Sequence, residues 1–187
     1  MAFLQGIRNK IGYFIIKRKV RNLSRNKEFI NIADAGKVGV LFKQTDEENF
    51  EAVQDCVRML AEGGKQVFVI GYVDSKEIPD FYLLRKGFNF FCRNDINWYG
   101  IPQPAFVNDF IEREFDLLID LSLDNVFPID YIFAISKARF KTGEYAVRAE
   151  HADLSIDTGL NRNVGYLTQQ IYHYLSILNK KQQNKYE

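Results

Sequence analysis

Histidine and cysteine are almost missing from this chain, with two of each in 187 residues. His151, His173, Cys56 and Cys92 stand far apart and show none of the paired spacings of a structural zinc site. The same scarcity leaves Cys–His chemistry without a signature, and no G-x-S-x-G elbow presents a serine nucleophile. Both cysteines sit among apolar neighbours without a pairing pattern, which suits a reducing compartment. No apolar run reaches the ~20 residues of a membrane span. The N-terminus has no uninterrupted apolar core before a small-residue cleavage site. The expected location is the cytoplasm.

A glycine-rich turn after the first strand is also absent. A phosphate there needs backbone N–H groups and an open helix N-terminus. Here the strand runs into Lys43-Gln44-Thr45-Asp46-Glu47-Glu48, whose carboxylates favour the helix dipole and repel a phosphate. No cofactor and no nucleotide is expected at that turn.

One sign of charge is missing locally. Residues 1–27 contain eight Lys or Arg and no Asp or Glu, on a chain of net charge +1. The remaining 17 basic residues face 24 acidic ones, so the body carries about −7. Such an arm suits an anionic partner, or folds back on its own domain.

What is present is ample for a core: 47% hydrophobic residues, including 16 Phe and 10 Tyr. KVGVLFK (37–43) and QVFVIGYV (66–73) read as strands buried on both faces. Between them, Phe50, Val53, Val57 and Leu60 recur at helical spacing. Thr45 and Glu48 form a capping-box pattern, and Gly63-Gly64 ends the helix. This is a βαβ unit, so a parallel sheet follows. A short helix within SKEIPDFYLLRKG, a strand at 88–92 and a helix at 105–112 come next. FDLLIDLSL (115–123) is the clearest strand, followed by a helix over 127–138 with Pro128 in its first turn. FKTGEY and DLSID read as short strands towards one edge. A closing helix over 164–179 puts Leu167, Ile171, Tyr174, Leu175 and Leu178 on one side.

The expected fold is α/β: a three-layer, Rossmann-like, mostly parallel sheet with an N-terminal basic helical arm. Residues 1–36 form the arm, 37–179 a single α/β domain, and 180–187 a polar tail.

Asp74, Asp120 and Asp124 fall at strand ends, where Mg²⁺-type chemistry would need clustered carboxylates. The simpler reading makes Asp74-Ser75 a helix N-cap, Asp124-Asn125 a turn, and Asp120 a backbone acceptor. No metal is expected. In the loop RNDINWYGIPQP, the adjacent Trp98 and Tyr99 suit either a partner-binding anchor or a lid folded over the sheet edge, and the lid is the favoured reading.

Residues 115–145 resemble the N-terminal half of heptosyltransferase-like glycosyltransferases, with Asp120, Ala138, Arg139, Gly143 and Tyr145 at comparable places. That resemblance implies a Rossmann-like half-domain, although the second, sugar-nucleotide domain of such enzymes has no room here. From 37 to 179 the pattern is more similar to an uncharacterised bacterial family of small α/β proteins of unknown function. KVGVLF, EIPDFY, NWYGIP, FDLLIDLSLDN and P-x-x-Y-I-x-A-x-S-K-A-x-F-K-x-G carry it. It implies the fold and transfers no catalytic residue.

For the arm, a helix places Phe3, Leu4, Ile7, Ile11, Phe14 and Ile15 on one face, with Ile16, Val20 and Leu23 opposite. Arg18 falls within the first face, so the spacing predicts a bend near 16–18 or packing on two sides. Three uses are open. The apolar stripe docks on the body and the charges meet solvent; or Arg8, Lys10, Lys17, Arg18, Lys19, Arg21, Arg25 and Lys27 contact phosphates of RNA, for example in the ribosome; or the helix lies on an anionic membrane surface. The expected function is a non-enzymatic cytoplasmic module whose arm contacts RNA or a ribonucleoprotein. The alternatives are an enzyme working at the acidic strand edge and a peripheral membrane-surface protein.

Overall fold

The computed structural model describes residues 2–177, with the side chains of residues 2–7 and 9 left aside. The expected tail over 180–187, and Leu178 and Asn179 of the closing helix, lie outside the described residues.

Six strands form one sheet: β1 (Lys37–Gln44), β2 (Gln66–Val73), β3 (Phe88–Cys92), β4 (Leu117–Asp120), β5 (Phe140–Glu144) and β6 (Leu154–Ile156). Their order is β3-β2-β1-β4-β5-β6, and every pairing is parallel. This is the strand order of Rossmann-like folds, whose chain reverses direction across the sheet between β1 and β4. β1 is buried along nearly its whole length because helices cover both faces.

The helices are α1 (Ala2–Arg21), α2 (Glu47–Glu62), α3 (Asp80–Leu83), α4 (Ala105–Glu112), α5 (Phe127–Ile135), α6 (Tyr145–Arg148) and α7 (Val164–Ile177). α2 and α7 cover one face through Phe50, Val53, Leu60, Leu167, Ile171 and Leu175. α4 and α5 cover the other through Val107, Phe110, Ile129 and Ile132, and Ile16 of α1 joins that core. The result is a three-layer α/β domain.

Local expectations shift in a few places. Asp46, not Thr45, caps α2: its Oδ1 accepts the Asn49 N–H at 2.8 Å, while the Thr45 hydroxyl bonds the Asp46 carboxylate. Cys56 takes the inner position foreseen for Val57. Tyr174 is 41% exposed, because α7 packs through Val164, Leu167, Ile171 and Leu175 at i, i+3, i+7 and i+11. α1 also differs from its expected stripe. Phe14 is 67% exposed, whereas Gly12 and Ile16 are buried and Val20 half-buried against α5. The helix runs unbroken to Arg21, since packing on α5 chose the smaller apolar face. Residues after it cross the amino ends of the strands, where Glu28 N–H meets Arg139 O at 3.2 Å, and bring Ile30, Ile32 and Ala35 into the α2–α7 core.

Lys141 on β5 is 1% exposed, and its Nζ donates to Phe133 O at 2.8 Å and Ala134 O at 2.9 Å, two carbonyls in the last turn of α5. Burial, aided by the nearby Arg25 charge, pushes its pKa from 10.5 down to about 7. The folded chain therefore sheds this proton before the unfolded chain does. The contribution of Lys141 to stability is lowest below pH 7 and rises as pH climbs from about 7 towards 10.5. Urea unfolding should show a gain of about 2 kcal/mol between pH 7 and pH 9. Lys141→Met should flatten that rise.

Candidate functional site

At the carboxyl edge of the sheet, each strand-end aspartate has a cation of its own. Asp120, fully buried at the end of β4, accepts from Arg148 Nε and from Ser122 N–H at 2.9 Å. Arg148 Nη1 also lies 3.6 Å from Asp130, whose carboxyl is pushed up by burial and held back by that guanidinium. Asp124 pairs with Lys43 at 3.2 Å. Asp74 accepts from Arg93 Nε at 2.6 Å and from the Tyr72 hydroxyl at 3.0 Å. It is not the helix cap the sequence suggested; α3 begins only at Asp80. Arg93 holds the Asp74 carboxyl below its usual range, while burial, reinforced by Asp74, pushes the Tyr72 phenol up to about 12. Three separate ion pairs stand where a metal would need converging ligands. Among the described residues no group of three or more His, Cys, Asp or Glu is placed to hold a metal ion.

The residues carried over from the glycosyltransferase resemblance do not converge. Asp120 and Gly143 are register partners, but Arg139 lies at the amino end of β5, bonded to Glu28 and, at 3.1 Å, to Asp116. Tyr145 is 55% exposed beyond the other end.

Above β2 and β3 opens a cleft of about 650 Å³. Tyr72, Asp74 and Arg93 form its floor, Trp98 and Tyr99 one wall, and Phe127 of α5 with Arg8 of α1 the other side. The aromatic wall has a local cause. Asn97 O accepts the Gly100 N–H at 2.9 Å, closing a turn, and the Asn97 side chain accepts from Tyr99 N at 2.9 Å and Ile101 N at 3.1 Å. Gly100, at φ +84°, completes a backbone shape that side-chain-bearing residues rarely adopt. Trp98 and Tyr99 are thus thrust outward at the turn's tip, their rings edge-to-face at 5.2 Å. Trp98 is 54% exposed, so the expected lid over the sheet is not formed: the turn aims the ring away from the core.

α1 is held against this loop by a close approach. A Cβ at Gly12 would lie 2.6 Å from Phe127 Cζ and 3.0 Å from Tyr99 O. Tyr13 adds an edge-to-face contact with Phe127 at 5.2 Å. Gly12→Val is therefore expected to lift α1. Its amides should exchange at least about tenfold faster while those of β1 and β4 hold.

The eight basic residues of the first 27 divide in space. Arg8 faces the cleft, and Lys19 Nζ sits 5.3 Å over the Tyr131 ring. Arg25 is drawn inward: it bonds Asp153 and Ala138 O, and only 7% of its side chain is exposed, which removes it from the expected phosphate contacts. Lys27 stays solvated with its ammonium 3.6 Å from Asp153. Lys10, Lys17, Arg18 and Arg21 are exposed, and with Phe14 they share one outward strip of α1. Sequence reading missed Tyr72, Asp74 and Arg93 as neighbours of Trp98. The position of Asp74 and Arg93 at adjacent strand ends was the available signal.

No helix of the described residues is long and apolar enough to cross a membrane. No curated protein and no solved structure matches the chain. Residues 8–178 match the family of unknown function DUF6913, a span that takes in α1 from Arg8 onward and the whole sheet. The α/β character and the absence of a transferable activity agree with the resemblance read from KVGVLF, NWYGIP and FDLLIDLSLDN, and the chain belongs to the DUF6913 family.

Proposed function

We propose that this chain is a cytoplasmic, non-enzymatic α/β module that binds RNA through α1. The observation that carries the reading is the outward strip of α1: Lys10, Lys17, Arg18 and Arg21 around an exposed Phe14, on a helix without any acid. Its opposite side is fixed to α5 by Gly12 and Ile16. A rigid row of cations tracks a phosphate backbone, and an exposed ring among them stacks an unpaired base. The acidic body is repelled by the same polyanion, so only α1 and its surroundings face it. Two free, buried cysteines fit a reducing compartment. The self-neutralised aspartates at the strand ends speak for binding rather than hydrolysis.

The test is anisotropy of a labelled single-stranded RNA of about ten nucleotides at 50 and 200 mM salt, alongside flotation with anionic and neutral vesicles. The expected outcome is RNA binding that weakens steeply with salt. Binding to anionic vesicles without RNA binding would assign α1 to a lipid surface and overturn the reading.

A further inference from the structure

The cleft beside α1 combines features that α1 alone lacks. Its rim carries Trp98, the only tryptophan of the chain, more than half exposed and braced edge-on by Tyr99. Its charges do not cancel. Asp74 is taken up by Arg93 Nε and the Tyr72 hydroxyl, while Arg8 has no ion pair among the described residues. The cleft therefore keeps about one net positive charge next to an exposed aromatic ring. About 650 Å³ falls within the range of small-ligand sites.

We propose that this cleft is a nucleotide subsite, in which a planar base lies on Trp98 and its phosphate meets Arg8. An apolar peptide is a poor occupant, because it would strip water from Arg8 and Arg93 without replacing their partners. A base has a π-face for Trp98 and edge donors and acceptors for the polar lining of Asp74, Arg93 and Asn97. The site owes nothing to a glycine-rich turn. The β1–α2 junction, where such a turn would stand, is closed by the Asp46 cap. The inference rests on the α1 reading only for the source of the nucleotide. Arg8 projects from a side of α1 turned away from Lys10, Lys17, Arg18 and Arg21, so a strand held along that strip crosses over the helix to bring an unstacked base to the cleft. A free mononucleotide has the same chemistry without that strand.

The lone tryptophan reports the site directly. Full-length protein is titrated with a ten-nucleotide single-stranded RNA, with adenosine monophosphate and with inorganic phosphate. Trp98 fluorescence is followed alongside anisotropy of the labelled RNA. The expected result is quenching of Trp98 by RNA, with Trp98→Ala weakening RNA binding about tenfold or more and Arg8→Gln weakening it and halving the quench. Quenching by adenosine monophosphate alone, with no RNA binding, sustains the cleft while removing the α1 reading. Salt-dependent RNA binding with unchanged Trp98 emission, and unaltered by Trp98→Ala, overturns the cleft and leaves the α1 reading standing. No response to any of the three overturns both. Because Trp98 is exposed, its truncation leaves the core intact, and a melting curve of the variant checks this.

Discussion

Arg148→Met is expected to cost the domain about 3–5 kcal/mol, a large share of the stability of a single domain. Arg148 and Asp120 have no exposed side-chain surface, and Asp130 is nearly as enclosed. Taking away the guanidinium leaves the Asp120 carboxylate dry, with the Ser122 N–H as its remaining donor. Asp130 loses the charge that opposes its burial, so its carboxyl would stay protonated to still higher pH. At constant denaturant slope, urea melts should shift to lower midpoints, and Tm should fall by about 10 °C. Arg148→Met combined with Asp120→Leu should recover most of the loss. A buried pair repays little beyond its own desolvation, so removing both partners is far cheaper than orphaning one. A single variant that loses less than about 1 kcal/mol would mean that water reaches Asp120.

Changing Lys10, Lys17, Arg18 and Arg21 together to Gln is expected to weaken RNA binding on the order of 100-fold at 50 mM salt. The slope of log affinity against log salt should flatten by about 3, at ~0.7 for each phosphate of a single strand that is no longer neutralised. All four side chains are solvated, so the melting temperature should stay close to that of the parent. Arg58→Gln with Lys86→Gln, two exposed cations away from α1, is the control and should change neither quantity much. If both sets weaken binding equally, the attraction belongs to the surface at large. The Arg25→Gln variant should behave differently from either, losing stability rather than affinity because Arg25 ties the segment after α1 to Asp153 and Ala138.

The strands are legible because each is a short apolar run between turn residues, and β1 and β2 keep the bounds their residues suggest to within one position. β4 is shorter than the apolar run that marks it. Phe115, Leu121 and Leu123 are apolar for packing, while the ladder itself spans Leu117–Asp120. α6 leaves no mark in the sequence pattern, because four residues are too few to show a period. In the closing helix, Tyr174 satisfies the hydrophobic pattern yet faces solvent, since an amphipathic ring fits either side.

The candidate site divides the same way. Composition and local pattern determined the α/β class, the parallel sheet, the cation-rich first helix and the prominence of the Trp98-Tyr99 pair, since these depend on neighbours within a few positions. Tertiary structure alone decided which face of α1 docks, that Arg25 turns inward while Arg18 does not, and that Trp98 stands exposed. It also decided that Arg8, Asp74, Arg93 and Trp98, spread over 91 residues of sequence, share one cleft. Those outcomes rest on pairs such as Gly12 against Phe127 and Arg148 against Asp120, whose partners lie 115 and 28 residues apart. Local periodicity carries no information over such distances, and only packing brings the partners together.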